Sequence, residues 1–416
     1  MKTTSLERGQ ALILIVFGMV GMIALTGLAV DGGMAYSARR TAQNAADNAA
    51  MAAALAYARG SDSATTAMTS AGTNGFNNDG SSNTVAVSEV AATNCPHGAT
   101  GKVITVQITS HVRTFFAPVL GIRQLTNSVQ AVSESCGAFL GPLFNGDAIV
   151  ALTPTSVGFS AQGTPDWNIT GGGIFSNSGD SYSAGCGGNA SVNSPSVTTV
   201  GGAQFGCNNV NIGSTATGAT QLTYADYSQF LPRTPACDGT ATEVNVNGNE
   251  YWTAQAGADG SKVEWNGDMV FSPGLYCITN SPGPFHGAIS GTHVTFFIMP
   301  NLFTLKFNGG GNLTATAPTS GEFAGVLMFS DAELCSTGLL RNQSIDFRGN
   351  GTGDITGSVI VPSATVTMYG NSNSRGMHTQ VIAYSVDSGG GSLNNINYQS
   401  GENYQVWYPA WLTLLK

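Results

Sequence analysis

Charge is scarce in this 416-residue chain: Asp, Glu, Lys and Arg together make up 9% of it, against about 25% in typical soluble proteins. The formal balance is −9, and no basic stretch offers phosphates a footprint, so nucleic acid is excluded as a partner. None of the seven cysteines forms a CxxC pair. His97, His111, His286, His293 and His378 are dispersed without ligand spacing, so neither zinc nor another metal site is expected. Gly-x-Ser-x-Gly and HExxH are both missing. The calcium-binding nonapeptide is missing too, because Gly309-Gly310-Gly311-Asn312-Leu313-Thr314 has Thr where Asp is required. Asp331, Glu333, Asp346 and Asp354, with Arg341 and Arg348 nearby, are the one local acidic cluster. They read as solvated charges at the edges of an insertion. No catalytic, cofactor-binding or metal residue is assigned, and the expectation is not an enzyme.

What the chain does hold is apolar length. Ala11 to Val30 are twenty consecutive uncharged residues, and at about 1.5 Å each they match the roughly 30 Å hydrocarbon core of a bilayer. Lys2, Glu7 and Arg8 flank the run on one side, and Asp31, Arg39 and Arg40 on the other. A cleaved secretory signal is the alternative, with Gly27-Leu28-Ala29 as its small-x-small site. Such signals have apolar cores of about 7–15 residues, however, and here helix-forming sequence continues through the cut. A soluble core helix would keep one polar face, which this run lacks. Residues 11–30 therefore read as a single membrane span with the lipid bilayer as partner.

The flanking cations are balanced and do not orient the span. The cysteines do: Cys95, Cys136, Cys186, Cys207, Cys237, Cys277 and Cys335 all follow it, and scattered cysteines fit disulfides in an oxidising compartment. The expected topology has the N-terminus cytoplasmic and the rest extracytoplasmic. Connectivity does not follow from spacing. Pairing neighbours along the chain would join Cys95 to Cys136, Cys186 to Cys207 and Cys237 to Cys277, leaving Cys335 over.

An alanine-rich, proline-free stretch follows to Arg59. Ala42, Ala46, Ala49, Ala53 and Ala56 line one helical face with methyl groups, suited to close packing on a sheet or helix. Gly32 and Gly33 are candidates to bend the helix at the membrane surface. Residues 61–140 read as a small α+β module: a weak helix from Ser63 to Phe76, strands Thr84–Val90 and Lys102–Val112, a short apolar helix Thr114–Gly121, and a strand Leu125–Val132. The expected division is an anchor and helix over 1–60, the module over 61–140 and a β-rich body over 145–416.

Two sets of motifs carry a resemblance. Glu7-Arg8-Gly9-Gln10-Ala11-Leu12, Val30-Asp31-Gly32-Gly33, Arg39-Arg40-Thr41-Ala42-Gln43-Asn44-Ala45-Ala46-Asp47 and Thr114-Phe115-Phe116-Ala117-Pro118-Val119-Leu120-Gly121-Ile122 resemble the N-terminal third of TadG-like Flp pilus-assembly proteins. The resemblance implies a single-span structural component of the tight-adherence (Tad) system, with other pilus components as partners. Related small pseudopilins are cut after a glycine and carry Glu five positions on; counting from Gly9, that position is Leu14, which speaks against prepilin processing. Some TadG-like proteins carry an Asp-x-Ser-x-Ser metal motif. Asp79-Gly80-Ser81-Ser82-Asn83 lacks its last serine.

From about Asn145 to Tyr408, Gly/Asn corners such as Gly171-Gly172-Gly173, Gly187-Gly188-Asn189 and Gly370-Asn371-Ser372 alternate with short β runs such as Val294–Met299. A period near twenty predicts a right-handed β-solenoid; a β-sandwich is the alternative. Leu222–Pro235 lacks the rhythm and reads as a loop or short helix leaving the coil. Val406–Leu415 reads as a final strand or cap over the last turn. Pro273-Gly274-Leu275-Tyr276 and Ala324–Phe329 also resemble the β-helical regions that accompany TadG-like N-termini. Two other functions stay open: a surface adhesin that binds glycans, with Trp167, Trp252 and Trp265 as sugar-stacking platforms, and an anchored polysaccharide-degrading enzyme.

Overall fold

The structure, a computed structural model, describes residues 6–415 apart from 96–98, 247–248, 255–259, 265–266, 280–283, 286, 300–303, 309–311, 331–342, 349–352 and 371–372. The chain divides into two units, Met1–Phe139 with Trp407–Lys416, and Leu140–Val406. The expected boundary near residue 60 therefore does not separate compact bodies, and the last ten residues belong with the first unit.

In the first unit, α1 (Leu6–Ala58) is one helix of 53 residues, about 80 Å long. It runs through Gly32 and Gly33 without the expected break, since each glycine costs only about 1 kcal/mol in a helix that alanines otherwise favour. The predicted methyl face is buried: Ala42, Ala46, Ala49 and Ala53 are 0% exposed. Next comes α2 (Ser63–Thr73), capped by the Asp62 carboxylate, which accepts from the Ala64 and Thr65 amides at 3.0 and 3.3 Å. Strands β1 (Asn83–Ala91), β2 (Gly101–Arg113) and β3 (Gln124–Cys136) form an antiparallel meander. Ile104, Val106 and Ile108 alternate inward from β2 onto the alanines.

Strand β3 runs alongside α1 in step with it. The Asn127 amide donates to the Ala35 carbonyl, Gln43 Nε2 to the Gln130 carbonyl, Ser133 Oγ to Ala50 and Ser135 Oγ to Ala54, all between 2.8 and 3.2 Å. Eight strand residues at ~3.3 Å advance about 26 Å, and nineteen helix residues at ~1.5 Å advance about 28 Å. Equal advances let every bond close without a kink. Trp411–Leu414, expected to cap the β-rich body, instead adds antiparallel to β3, with Cys136 opposite Trp411 and Ser133 opposite Leu414. Pairing on an open strand edge satisfies its backbone groups directly.

Among the described residues the regular structure of the second unit is nearly all strand, and apart from the antiparallel pair Gly239–Val246 and Asn249–Ala254 most of its strands stack in parallel in three ladders. One contains Gly274–Ile278, Val294–Ile298, Val326–Ser330, Ile149–Ala151 and Ile174–Ser176. A second contains Thr304–Asn308, Gln343–Arg348, Phe159–Gly163 and Ala184–Gly188. The third contains Met269–Phe271, Ala288–Gly291, Asn312–Thr316, Leu393–Asn397 and Asp166–Thr170. The chain visits them in a repeating order, and partners such as Tyr276 with Phe296 and Val366 with Val386 lie twenty residues apart. Aromatic and aliphatic side chains fill the inside: Phe271 meets Tyr276 and Phe296 edge-on with centroids 4.8 and 5.0 Å away.

Stacking order and chain order differ. Val381–Gly390 lies against Ile149–Ala151 and Phe159–Gly163, so late strands sit beside early ones. One end of the stack is Asn209–Thr217, and the strands that follow from Gly239 begin at the other end. The intervening segment 218–238 spans about ten inter-strand steps of ~4.8 Å, near 50 Å, within the ~70 Å reach of 21 residues. It crosses strand after strand on the way. Gln221 Nε2 donates to the Pro154 and Asn177 carbonyls, Tyr227 packs on Phe144, Arg233 pairs with Glu322 at 2.5 Å, and Cys237 is bonded to Cys277. The segment that broke the sequence repeat is thus a strap along the stack.

Candidate membrane-proximal site

From Leu12 to Val30 the large apolar side chains of α1 are 41–72% exposed. Helix α1 is long and apolar enough to cross a membrane. The polar end of this stretch is where the first unit concentrates its most specific contacts. Asp31 is buried, and its carboxylate accepts from the backbone amides of Phe115, Phe116 and Ala117 at 2.8, 3.1 and 2.7 Å. One carboxylate thereby satisfies three consecutive donors at the tip between β2 and β3. The tip closes with a 3-10 turn, Ala117–Leu120, ended by Gly121 at φ 85°, and the Thr114 hydroxyl bonds the Ile122 carbonyl at 2.6 Å.

Gly27 completes the contact. A Cβ built there would stand 2.7 Å from Phe116 Cβ, so only glycine lets the tip lie on the helix. Gly18 and Gly21 meet nothing and fit the ordinary glycine content of a membrane helix. Residue spacing within the apolar run does not distinguish Gly27 from the other two. The pairing of Asp31 with the Thr114–Ile122 motif was likewise out of reach, because it joins segments more than eighty residues apart. Farther along α1, an open groove of about 360 Å³ is lined by Met34, Thr41, Phe76, Ser110 and Val112.

The remaining sequence candidates fall in different places. Asp79 is a turn organiser, accepting from the Ser81, Ser82 and Asn83 amides and the Ser82 hydroxyl. These bonds, the Ser82 hydroxyl first, hold its carboxyl well below the usual range. Asp346 accepts from Thr367 Oγ1 at 2.6 Å and pairs with Arg348 at 3.2 Å, a structural use of the acidic cluster. Asp354 is exposed, while Asp331, Glu333, Arg341, Trp265, His97, His286 and Cys335 lie outside the described residues. His378 Nδ1 meets Glu402 at 2.8 Å and His111 meets Thr126 at 3.1 Å. Among the described residues no group of three His, Cys, Asp or Glu could hold a metal ion.

Trp167 corrects an expectation. It is 0% exposed, donates from Nε1 to Ser388 Oγ at 2.7 Å and packs edge-on against Phe159, so it cannot stack on a sugar. The cysteines form three disulfides: Cys95–Cys136, Cys186–Cys207 and Cys237–Cys277. Closing loops of 41, 21 and 40 residues, each contributes roughly 3–4 kcal/mol in the chain-entropy view.

Residues 9–56 match the model of the Flp pilus-assembly TadE/G-like family. The matched stretch is the exposed apolar run together with the alanine face that packs on the sheet. The match thus falls on the helix that is long and apolar enough to cross a membrane. No curated protein and no solved structure matches the chain.

Proposed function

We propose that this chain is a membrane-anchored, extracytoplasmic structural component of a Tad/Flp pilus system, acting in pilus assembly or attachment without catalysis. The Tad-type match over 9–56, on a helix that exposes its large apolar side chains from Leu12 to Val30, carries the reading. The N-terminus lies in the cytoplasm, and the sheet of the first unit and all of the second unit lie outside. Three disulfides support that orientation, because thiols persist as disulfides in oxidising compartments. The second unit is read as a right-handed β-solenoid, supported by the repeating order of its parallel ladders and their twenty-residue register. Other Tad/Flp components are the expected partners.

Protease added to intact, outer-membrane-permeabilised cells tests the topology. It should remove the second unit and leave a membrane-retained fragment containing residues 11–30. A chain digested only after the inner membrane is breached, with cysteines that alkylate without prior reduction, would overturn the orientation. Photo-crosslinking from exposed Leu28 in cells with and without the remaining Tad components then tests the partners: adducts that need those components are expected, and lipid-only adducts would sink that assignment.

A further inference from the structure

We propose that the β2–β3 tip, Phe115–Ile122, is a second membrane contact: a rigid apolar wedge seated in the interfacial layer of the bilayer beside the helical anchor. The proposal rests on the reading that residues 11–30 span the membrane. A tip joining two strands is ordinarily polar, yet here Phe115 is 69%, Val119 90%, Leu120 80% and Ile122 46% exposed. Side chains of this size are stabilised by leaving water, so leaving four of them bare asks for an apolar surround.

The depth of the wedge follows from its two attachments to α1. Phe116 lies on Gly27, four residues before Asp31, the first charge after the apolar run, and four residues of helix rise about 6 Å. That is the depth at which apolar faces of interfacial segments rest, about 5–10 Å into the headgroup–acyl boundary. Asp31 grips the tip from the polar side through three backbone amides. The wedge therefore cannot swing away without breaking them. Its base carries exposed Arg113 and Arg123, adjacent through the bond from the Thr114 amide to the Arg123 carbonyl. Cations at the rim of an apolar tip suit lipid phosphates.

Lipid is the occupant because the patch is continuous with the exposed apolar face of α1, where Leu28 is 72% exposed. A lone helix is free to rotate about its axis and to tilt. A second contact beside it fixes both, and with them the bearing of the first unit's sheet.

Collision accessibility of spin labels tests this in the full-length chain carrying Cys335→Ser, reconstituted in vesicles of phosphatidylcholine and phosphatidylglycerol. Labels at Val119→Cys and Val20→Cys should collide with oxygen in preference to a water-soluble nickel chelate, and a label at Thr69→Cys on α2 should show the reverse. Adding Leu120→Asp should raise nickel collisions at position 119 several-fold and leave position 20 unchanged. A water-exposed label at 119 with a lipid-exposed label at 20 overturns the wedge alone. Water exposure at 20 overturns the anchor and the wedge together. A label at 119 shielded from both reagents also overturns the lipid assignment, since it means a protein surface covers the tip.

Discussion

The two units bury side chains of different size, and the difference follows from what each packs against. In the first unit a helix lies on a sheet, and six alanines of α1, among them Ala45 and Ala50, together with Ala67 and Ala71 of α2, sit within the same apolar core as Ile104, Val106 and Ile108. Small residues let the helix approach the strands until Ser133 and Ser135 reach its carbonyls. In the second unit strands stack ~4.8 Å apart, and the interior between ladders takes Phe, Tyr, Met and Trp. One core is stabilised by proximity and polar stitching. The other is stabilised by apolar volume.

Removing volume should therefore hurt the second unit most. Phe296 is 0% exposed and lies among Phe271 and Tyr276, so Phe296→Ala should cost about 3–5 kcal/mol. Urea unfolding followed by hydrogen exchange should show lost protection in the ladder strands while α1 and β3 keep theirs. Equal loss in both units would mean that the two cores are not energetically separate.

The same contrast explains what was legible in the sequence. The alanine face, the β2 alternation and the ends of β1 and β3 follow from local periodicity, and the structure has them within a few residues. The twenty-residue rhythm is likewise a local signal, visible in the partners Tyr276 and Phe296. Stacking order is not local. Nothing near Val381 says that its neighbour is Ile149, because parallel pairing leaves no turn between the strands it joins. The strand Trp411–Leu414 reads as a cap from its sequence for a related reason: an apolar terminus fits any open edge equally well, and only the fold says which edge is free. Asp31 and Gly27 were visible as residues but not as partners of Phe116.

Acid should separate the units by sign. Burial pushes the Asp147 carboxyl up to about 6 and raises that of Asp387. The folded second unit therefore holds these protons more tightly than the unfolded chain does. Its stability is fully present below about pH 4, the unfolded carboxylate range, and is lost as pH rises through about 6. In the first unit hydrogen bonds lower Asp62 and Asp79, from Thr65 and Ser82 respectively, and the Lys102 ammonium lowers Glu89. Those contributions are present above about pH 4 and are lost as pH falls below it. Taking the protein from pH 7 to pH 4.5 should stabilise the second unit by about 2 kcal/mol, and Asp147→Asn should abolish most of that gain. A second unit that weakens over the same interval would contradict the assignment.

The smallest expected effect tests the polar stitching itself. Ser133 Oγ bonds the Ala50 carbonyl at 2.8 Å and Ser135 Oγ bonds Ala54 at 2.9 Å, both fully buried. These carbonyls also accept within the helix, so removing a hydroxyl strips a second bond rather than orphaning an acceptor. Ser133→Ala or Ser135→Ala should each cost about 0.5–1.5 kcal/mol, read from the urea midpoint of the first unit. The pair should cost less than the sum of the singles, because each bond holds the strand at the spacing the other needs and each single change already weakens both. Ser133→Val separates the two ingredients of the interface: it restores apolar volume but enlarges a contact built for small groups. A larger loss from valine than from alanine would show that close approach dominates in this unit. A gain from valine would mean that apolar volume governs both cores alike, and the contrast between the units would fall.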